Sequence, residues 1–234
     1  MGDIIAPSLL VGLALGRIGC FLNGCCFGGI CLNADYAVTF PAGSPPYIQH
    51  EEQYGWDSGL WLTKKNGHIV VGYVAPQWPA QLAGLKPGDE IIAVNGAKVN
   101  SLNEAHQRLL EGKASYEVET ADGRIVRWLS PKGPPRSVPV HPTQLYAAID
   151  AGLLALVLWF FFPYRRHDGE AFALMVTVHP ISRFLLEMIR SDEPGQFGTG
   201  WTISQWISLG LFAAGIALWI YIEQRPRAAA LPKG

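Results

Sequence analysis

The chain has 234 residues, of which 49% are hydrophobic and only 16% charged, and its formal net charge is −1. Soluble domains carry about 25% charged residues, and nucleic-acid binders gather basic side chains into a patch or stripe. The first comparison points to a membrane, and the second excludes a nucleic-acid partner.

The apolar residues fall into four stretches, 4–27, 145–163, 171–189 and 201–222, while residues 32–140 have the composition of a soluble protein. A membrane crossing takes about 20 mostly apolar residues, so each stretch is read as a span. Residues 1–6 lack a basic n-region, and no cleavable signal peptide is expected. Within the first span lies GRIGCFLNGCCFG (16–28), with Arg17 as its basic residue. An ionised side chain there costs about 2.5–3.5 kcal/mol unless it meets a partner or water. Arg17 is therefore read as an anion holder, and in a bilayer the anion at hand is a lipid phosphate. Gly12, Gly16, Gly19, Gly24 and Gly28 are expected to let other backbones approach closely. Cys20, Cys25, Cys26 and Cys31 have a C-x4-CC-x4-C spacing that suits zinc poorly, so no metal site is expected. Small buried packing residues and a disulfide such as Cys26–Cys31 both stay open.

In the soluble stretch, 69–74 (IVVGYV) predicts a strand and 79–82 a short helix, followed by turn chemistry at 86–89. Residues 90–94 predict a second strand, closed by a tight Asn95-Gly96 turn. A helix is expected over 101–111, with Ser101 as N-cap and Glu104 completing a capping box. Residues 114–120 and 124–129 predict a hairpin. The AGLKPGDEIIAVNG stretch resembles bacterial PDZ domains over about 75 residues. That resemblance implies a small α+β domain at 56–131 that captures a peptide C-terminus as an added strand. Its carboxylate loop would fall on Gly59, Leu60, Trp61 and Leu62, with Trp61 where the family has a second glycine. A PDZ fold kept as a spacer is the other reading.

Two of the later spans are strongly apolar, with Trp201, Trp206, Trp219 and Tyr221 placed as an aromatic belt. The third is weaker, since it carries His179, Pro180, Arg183 and Glu187. Basic clusters at 164–167 and 225–227 lie two crossings apart, which puts them on one face, the cytoplasmic one. The soluble stretch, Arg190, Asp192 and Glu193 then face outward.

GRIGCFLNGCCFG, together with HPTQLY (141–146), RFLLEMIRSD (183–192) and SQWIS (204–208), resembles in order the motifs of the prolipoprotein diacylglyceryl transferase family. The fold implied is a polytopic α-helical membrane protein with the PDZ-like domain inserted, divided as 1–31, 56–131 and 141–225. The activity implied is transfer of diacylglyceryl from phosphatidylglycerol to the lipobox cysteine of a preprolipoprotein, in the bacterial inner membrane with the PDZ-like domain on the periplasmic face. Arg17, Arg183 and His141 would be catalytic. Asn23, Gln144, Tyr146 and Glu187 would bind substrate, and no cofactor is implied. Cys20 and Cys25 replace the family's usual asparagine and glutamate, and the family's His-Gly-Gly spans would lie before Met1, as in a partial gene product or a short paralogue. The alternative is a non-catalytic lipid-binding adaptor whose PDZ-like domain recruits an envelope protein. A structural Arg183–Glu187 ion pair also remains open.

Overall fold

The computed structural model describes residues 1–32, 35–112, 114–190 and 195–224. In chain order they form α1 (Gly2–Asn23), α2 (Pro45–Tyr54), β1 (Leu60–Lys65), β2 (His68–Val74), α3 (Pro79–Leu82), β3 (Ile91–Val94) and β4 (Ala97–Lys98). There follow α4 (Leu102–Leu110), β5 (Ser115–Thr120), β6 (Ile125–Leu129), α5 (Thr143–Phe161), α6 (Glu170–Glu187) and α7 (Ile203–Glu223). Two compact units result, Met1–Gly29 with Pro142–Gly234, and Ile30–His141.

The first unit is helical. α1 stops at Asn23 because Gly24 takes the left-handed conformation (φ 77°) and its N–H turns back to the Cys20 and Phe21 carbonyls. Residues 24–27, read as the end of the first span, therefore leave the helix. α1 packs on α5 through Ala6, Leu10, Leu154, Ala155 and Leu158, a set of small and branched apolar side chains that interlock. At the head of α6, the buried Asp3 carboxylate accepts the Gly169 N–H at 2.7 Å and the Phe172 N–H at 3.0 Å. An anion placed there satisfies helix-end donors and meets the positive end of the helix dipole. Arg165 sits 3.5 Å from the same carboxylate, so this member of the basic 164–167 cluster has an internal partner. α7 opens with a full capping box between Thr202 and Gln205. It lies so close to α6 that a Cβ on Gly215 would meet Thr177 Oγ1 at 2.7 Å.

Among the described residues, three helical segments are long and apolar enough to cross a membrane: Gly2–Asn23, Thr143–Tyr164 and Ile203–Glu223. α6 is continuous, yet Glu170, Arg183 and Glu187 keep it out of that group. The predicted close approach along α1 is absent at Gly12, Gly16 and Gly19, where an added Cβ would meet nothing within 4 Å. Those glycines lie on an open face. Asp192, Glu193, Arg225 and Arg227, used above for orientation, lie outside the described residues.

The second unit is α+β. β1 and β2 form an antiparallel hairpin, and a four-stranded sheet has the order β4-β3-β5-β6. Its strands follow the expected pattern: β5 and β6 alternate buried and open positions, and Tyr116, Val118, Val126 and Trp128 enter the core. Asn95 (φ 50°) and Gly96 (φ 77°) both take positive φ, as a two-residue hairpin turn requires. Ser101 caps α4 by accepting the Glu104 N–H, but Glu104 reaches past the cap to the Asn100 N–H at 3.0 Å. Half of the capping box is thus displaced by one residue.

Candidate functional site

Polar side chains converge within the helical unit. Arg17 occupies the penultimate turn of α1, half-buried, and makes no ion pair or hydrogen bond among the described residues. It shares Coulombic reach of His179 with Asp150 and Arg183. Asp150 comes from α5 and accepts a hydrogen bond from Ser182 of α6 at 2.7 Å. The sequence reading passed over Asp150, although a carboxylate inside an apolar span is itself a signal of a site.

Arg183 is held from two sides. Its guanidinium lies 2.5 Å from Glu187 Oε2, one turn on, and donates to Ser204 Oγ of α7 at 3.1 Å. Glu187 is buried and also faces Arg190 at 3.4 Å. The single carboxylate is therefore shared between two cations, and the trio keeps a net positive charge. Its other oxygen, Oε1, has no hydrogen-bond partner among the described residues, and neither do the buried Gln144 Oε1 and His179 Nδ1. Buried polar atoms are nearly always partnered, so three such atoms in one helical unit mark places where a ligand or water would bind.

Asn23 closes α1 on its exposed side and shares a side-chain hydrogen bond with Cys25. Gln144, in the first turn of α5, spends its amide N–H on the Cys25 carbonyl at 2.7 Å, and Thr143 Oγ1 donates to the Cys26 carbonyl at 2.8 Å. These bonds fix the loop that follows α1. Tyr146 lies in the same first turn of α5, half-buried. Gln205, in the SQWIS motif, is committed to its own helix cap.

His141 closes the second unit, where its ring centroid lies 5.9 Å from that of Tyr36. The remaining predicted residues also belong to that unit. Gly59 takes a left-handed conformation (φ 75°), and Leu60, Trp61 and Leu62 continue as β1 with buried side chains. They form a strand rather than an open loop. A Cβ on Gly59 would strike the Trp78 ring at 2.4 Å, so the glycine is required twice over. Trp61 packs against Tyr54 (centroids 4.9 Å) and His50 (5.5 Å) of α2, and Tyr54 also meets His106 of α4 at 5.1 Å. His106 in turn hydrogen-bonds the Leu62 backbone.

A groove of about 540 Å³ beside Ile4, Pro7, Trp159 and Phe160 lies near the start of α1, some 20 Å of helix from Arg17 at about 1.5 Å per residue. Closer to the polar cluster, an apolar cavity of about 220 Å³ runs between α6 and α7, lined by Pro180, Ile181, Phe184, Leu185, Leu209 and Phe212.

Residues 1–221 match the prolipoprotein diacylglyceryl transferase family. The chain is 31% identical to the phosphatidylglycerol–prolipoprotein diacylglyceryl transferase of Rhodopirellula baltica, over 92% of this chain and 49% of that protein. Against proteins of the same name from Paraburkholderia phymatum and Burkholderia thailandensis the identities are 30% and 26%, covering 74% and 97% of this chain and 61% and 56% of theirs. The chain thus spans about half the length of the curated relatives it matches. With the family matched over nearly all of its described length, the chain belongs to the prolipoprotein diacylglyceryl transferase family.

Proposed function

We propose that this chain carries phosphatidylglycerol–prolipoprotein diacylglyceryl transfer. The observation that supports it most is Arg17, a cation in a membrane-length apolar helix with no ion pair or hydrogen bond among the described residues. Arg17 and Arg183 hold the phosphate of phosphatidylglycerol, for which a planar guanidinium fork is suited. The lipobox thiolate attacks the glyceryl carbon. A C–S bond forms, the C–O bond to phosphate breaks, and the electron pair leaves with glycerol phosphate. Fixed cations in a dry site stabilise that departing charge. His141 takes the thiol proton, a general-base role that an imidazole nitrogen can fill. Asn23, Gln144 and Tyr146 orient ester and phosphate oxygens, and Glu187 keeps Arg183 in place. The apolar cavity between α6 and α7 suits an acyl chain, since Phe184 on its wall follows Arg183 directly. In this reading α6 is a fourth, polar crossing enclosed by its neighbours, and the membrane is the bacterial inner membrane.

Residues 56–131 act as a PDZ-like module on the periplasmic face, taking a peptide along β1 beside α4. In support, among the described residues β1 pairs only with β2 and leaves one edge for another strand. Tyr54 and His50 cover Trp61 at that edge, so a peptide would have to displace α2.

The adaptor reading is favoured by one observation: the Gln144 amide is spent on the Cys25 carbonyl instead of facing open space. Complementation of a strain depleted of its own transferase separates the two readings. Wild type is expected to rescue, and Arg17→Ala to lose rescue while remaining folded in the membrane. Rescue by Arg17→Ala at the wild-type level would overturn the anion assignment. Binding of phosphatidylglycerol vesicles by a wild type that gives no rescue would establish the adaptor.

A further inference from the structure

The thiols of Cys20, Cys25 and Cys26 belong to a C-x4-CC-x4-C pattern that reads poorly from sequence, because zinc prefers paired C-x2-4-C spacings with loop freedom. Folding changes that. α1 ends at Gly24, the Cys25 N–H returns to the Cys20 carbonyl, and Cys26 takes φ 58°, a left-handed conformation unusual for a residue with a Cβ. The reversal stacks Cys25 and Cys26 over the last turn of α1, and all three Sγ atoms lie within 4.8 Å of one another. Three thiolates around one ion at about 2.3 Å each would stand about 4.0 Å apart, so closing the site needs movements well under 1 Å. The loop is also held in place: Gln144 and Thr143 donate to the Cys25 and Cys26 carbonyls at 2.7 and 2.8 Å. None of the three thiols is fully buried, so an ion can enter.

From this cluster we propose a three-coordinate thiolate site for a soft, closed-shell metal ion, with Cu(I) as its occupant. No fourth His, Cys, Asp or Glu joins the three among the described residues. Zn(II) in structural sites takes four ligands, whereas an all-sulfur, three-coordinate set suits Cu(I). Each coordinating thiol gives its proton to solvent, and the resulting net negative charge has Arg190 within Coulombic reach of Cys26. The site is independent of the transferase assignment, because it uses side chains that the transfer reaction does not.

The test uses the full, reduced chain in detergent, offered Cu(I) against a competing chelator. Retention of one Cu(I) per chain is expected, with three sulfur neighbours in copper-edge X-ray absorption. Cys20→Ser, Cys25→Ser and Cys26→Ser should each weaken retention by more than the roughly 10–100-fold typical of losing an outer hydrogen-bond partner. Cys31→Ser should leave it unchanged. The absorption measurement on wild type keeps the test independent of whether the variants fold. Failure of wild type to retain copper would overturn the proposal. So would a two-sulfur shell, tighter binding of Zn(II), or unaltered retention in Cys20→Ser.

Discussion

Replacing Glu187 by glutamine should destabilise the helical unit more than replacing Arg183, although only the arginine is proposed to hold the phosphate. Glu187 Oε2 stands 2.5 Å from Arg183 and 3.4 Å from Arg190, which at an effective dielectric of about 20 corresponds to gross attractions of about 7 and about 5 kcal/mol. Desolvation offsets most of this, and removing one partner of a buried pair typically leaves a net loss of about 3–5 kcal/mol. Glu187→Gln removes both attractions and leaves two cations facing one another, so the upper end of that range is expected. Arg183→Gln leaves Glu187 with Arg190 and should cost about half as much. The Glu187→Gln/Arg183→Gln double variant should fall well short of the sum, because the second change removes a charge the first had orphaned. Unfolding in mixed micelles, followed by loss of helical circular dichroism, measures all three. A larger loss for Arg183→Gln than for Glu187→Gln, or strict additivity in the double variant, would refute this account. Arg17 provides the contrast. With no partner among the described residues, Arg17→Ala should leave stability unchanged or raise it, while phosphatidylglycerol binding falls about 10–100-fold for loss of a charge-assisted contact of about 1.5–3 kcal/mol.

The second unit carries a pH dependence. Burial holds the His50 pKa down to about 4, below its ordinary 6.5, and lowers that of His106 by the same cause. Between pH 6.5 and 4 the unfolded chain takes up a proton at His50 that the folded chain refuses, so stability falls with pH by about 3 kcal/mol. Urea titrations at stepped pH should show a shallower fall in His50→Phe. At the α6–α7 contact, Gly215→Ala should cost about 1–3 kcal/mol through the clash with Thr177, whereas Gly16→Ala on the open face of α1 should be neutral or slightly stabilising; thermal unfolding compares them. Tyr54→Ala should uncover Trp61 and raise capture of C-terminal peptides on the full chain several-fold, as fluorescence anisotropy would read. Unchanged capture would count against a groove covered by α2.

Local chemistry was legible where a single residue type decides it. The Asn95-Gly96 turn, the Ser101 cap and the β5–β6 hairpin follow from positive φ, a side-chain acceptor and alternation, each set within a few residues. α2 was equally legible and was missed: Pro45 at its start and Gly55 (φ 69°) just past its end are the standard punctuation of a helix. It lacks a strong apolar stripe, so a search for periodicity passes over it. The candidate site behaves differently. Arg17 stood out because one charge in an apolar run has no cheap explanation. The meaning of Arg183 depended on Glu187, one turn on, on Arg190, which shares that carboxylate from beyond the end of α6, and on Ser204 from another helix. Hydropathy hid Asp150 for the same reason, since a lone carboxylate averages away in a span until Ser182 is seen beside it. The cysteines make the limit plain. Spacing along the chain measures ligand geometry only while the backbone between ligands is regular, and two left-handed residues, Gly24 and Cys26, break that regularity within three positions. Close thiols could therefore arise from a spacing that helix and loop statistics score as unsuitable. A pattern with poor linear spacing beside a glycine that ends a helix is thus a candidate ligand set, and in this chain it adjoins the signature motif that carries Arg17.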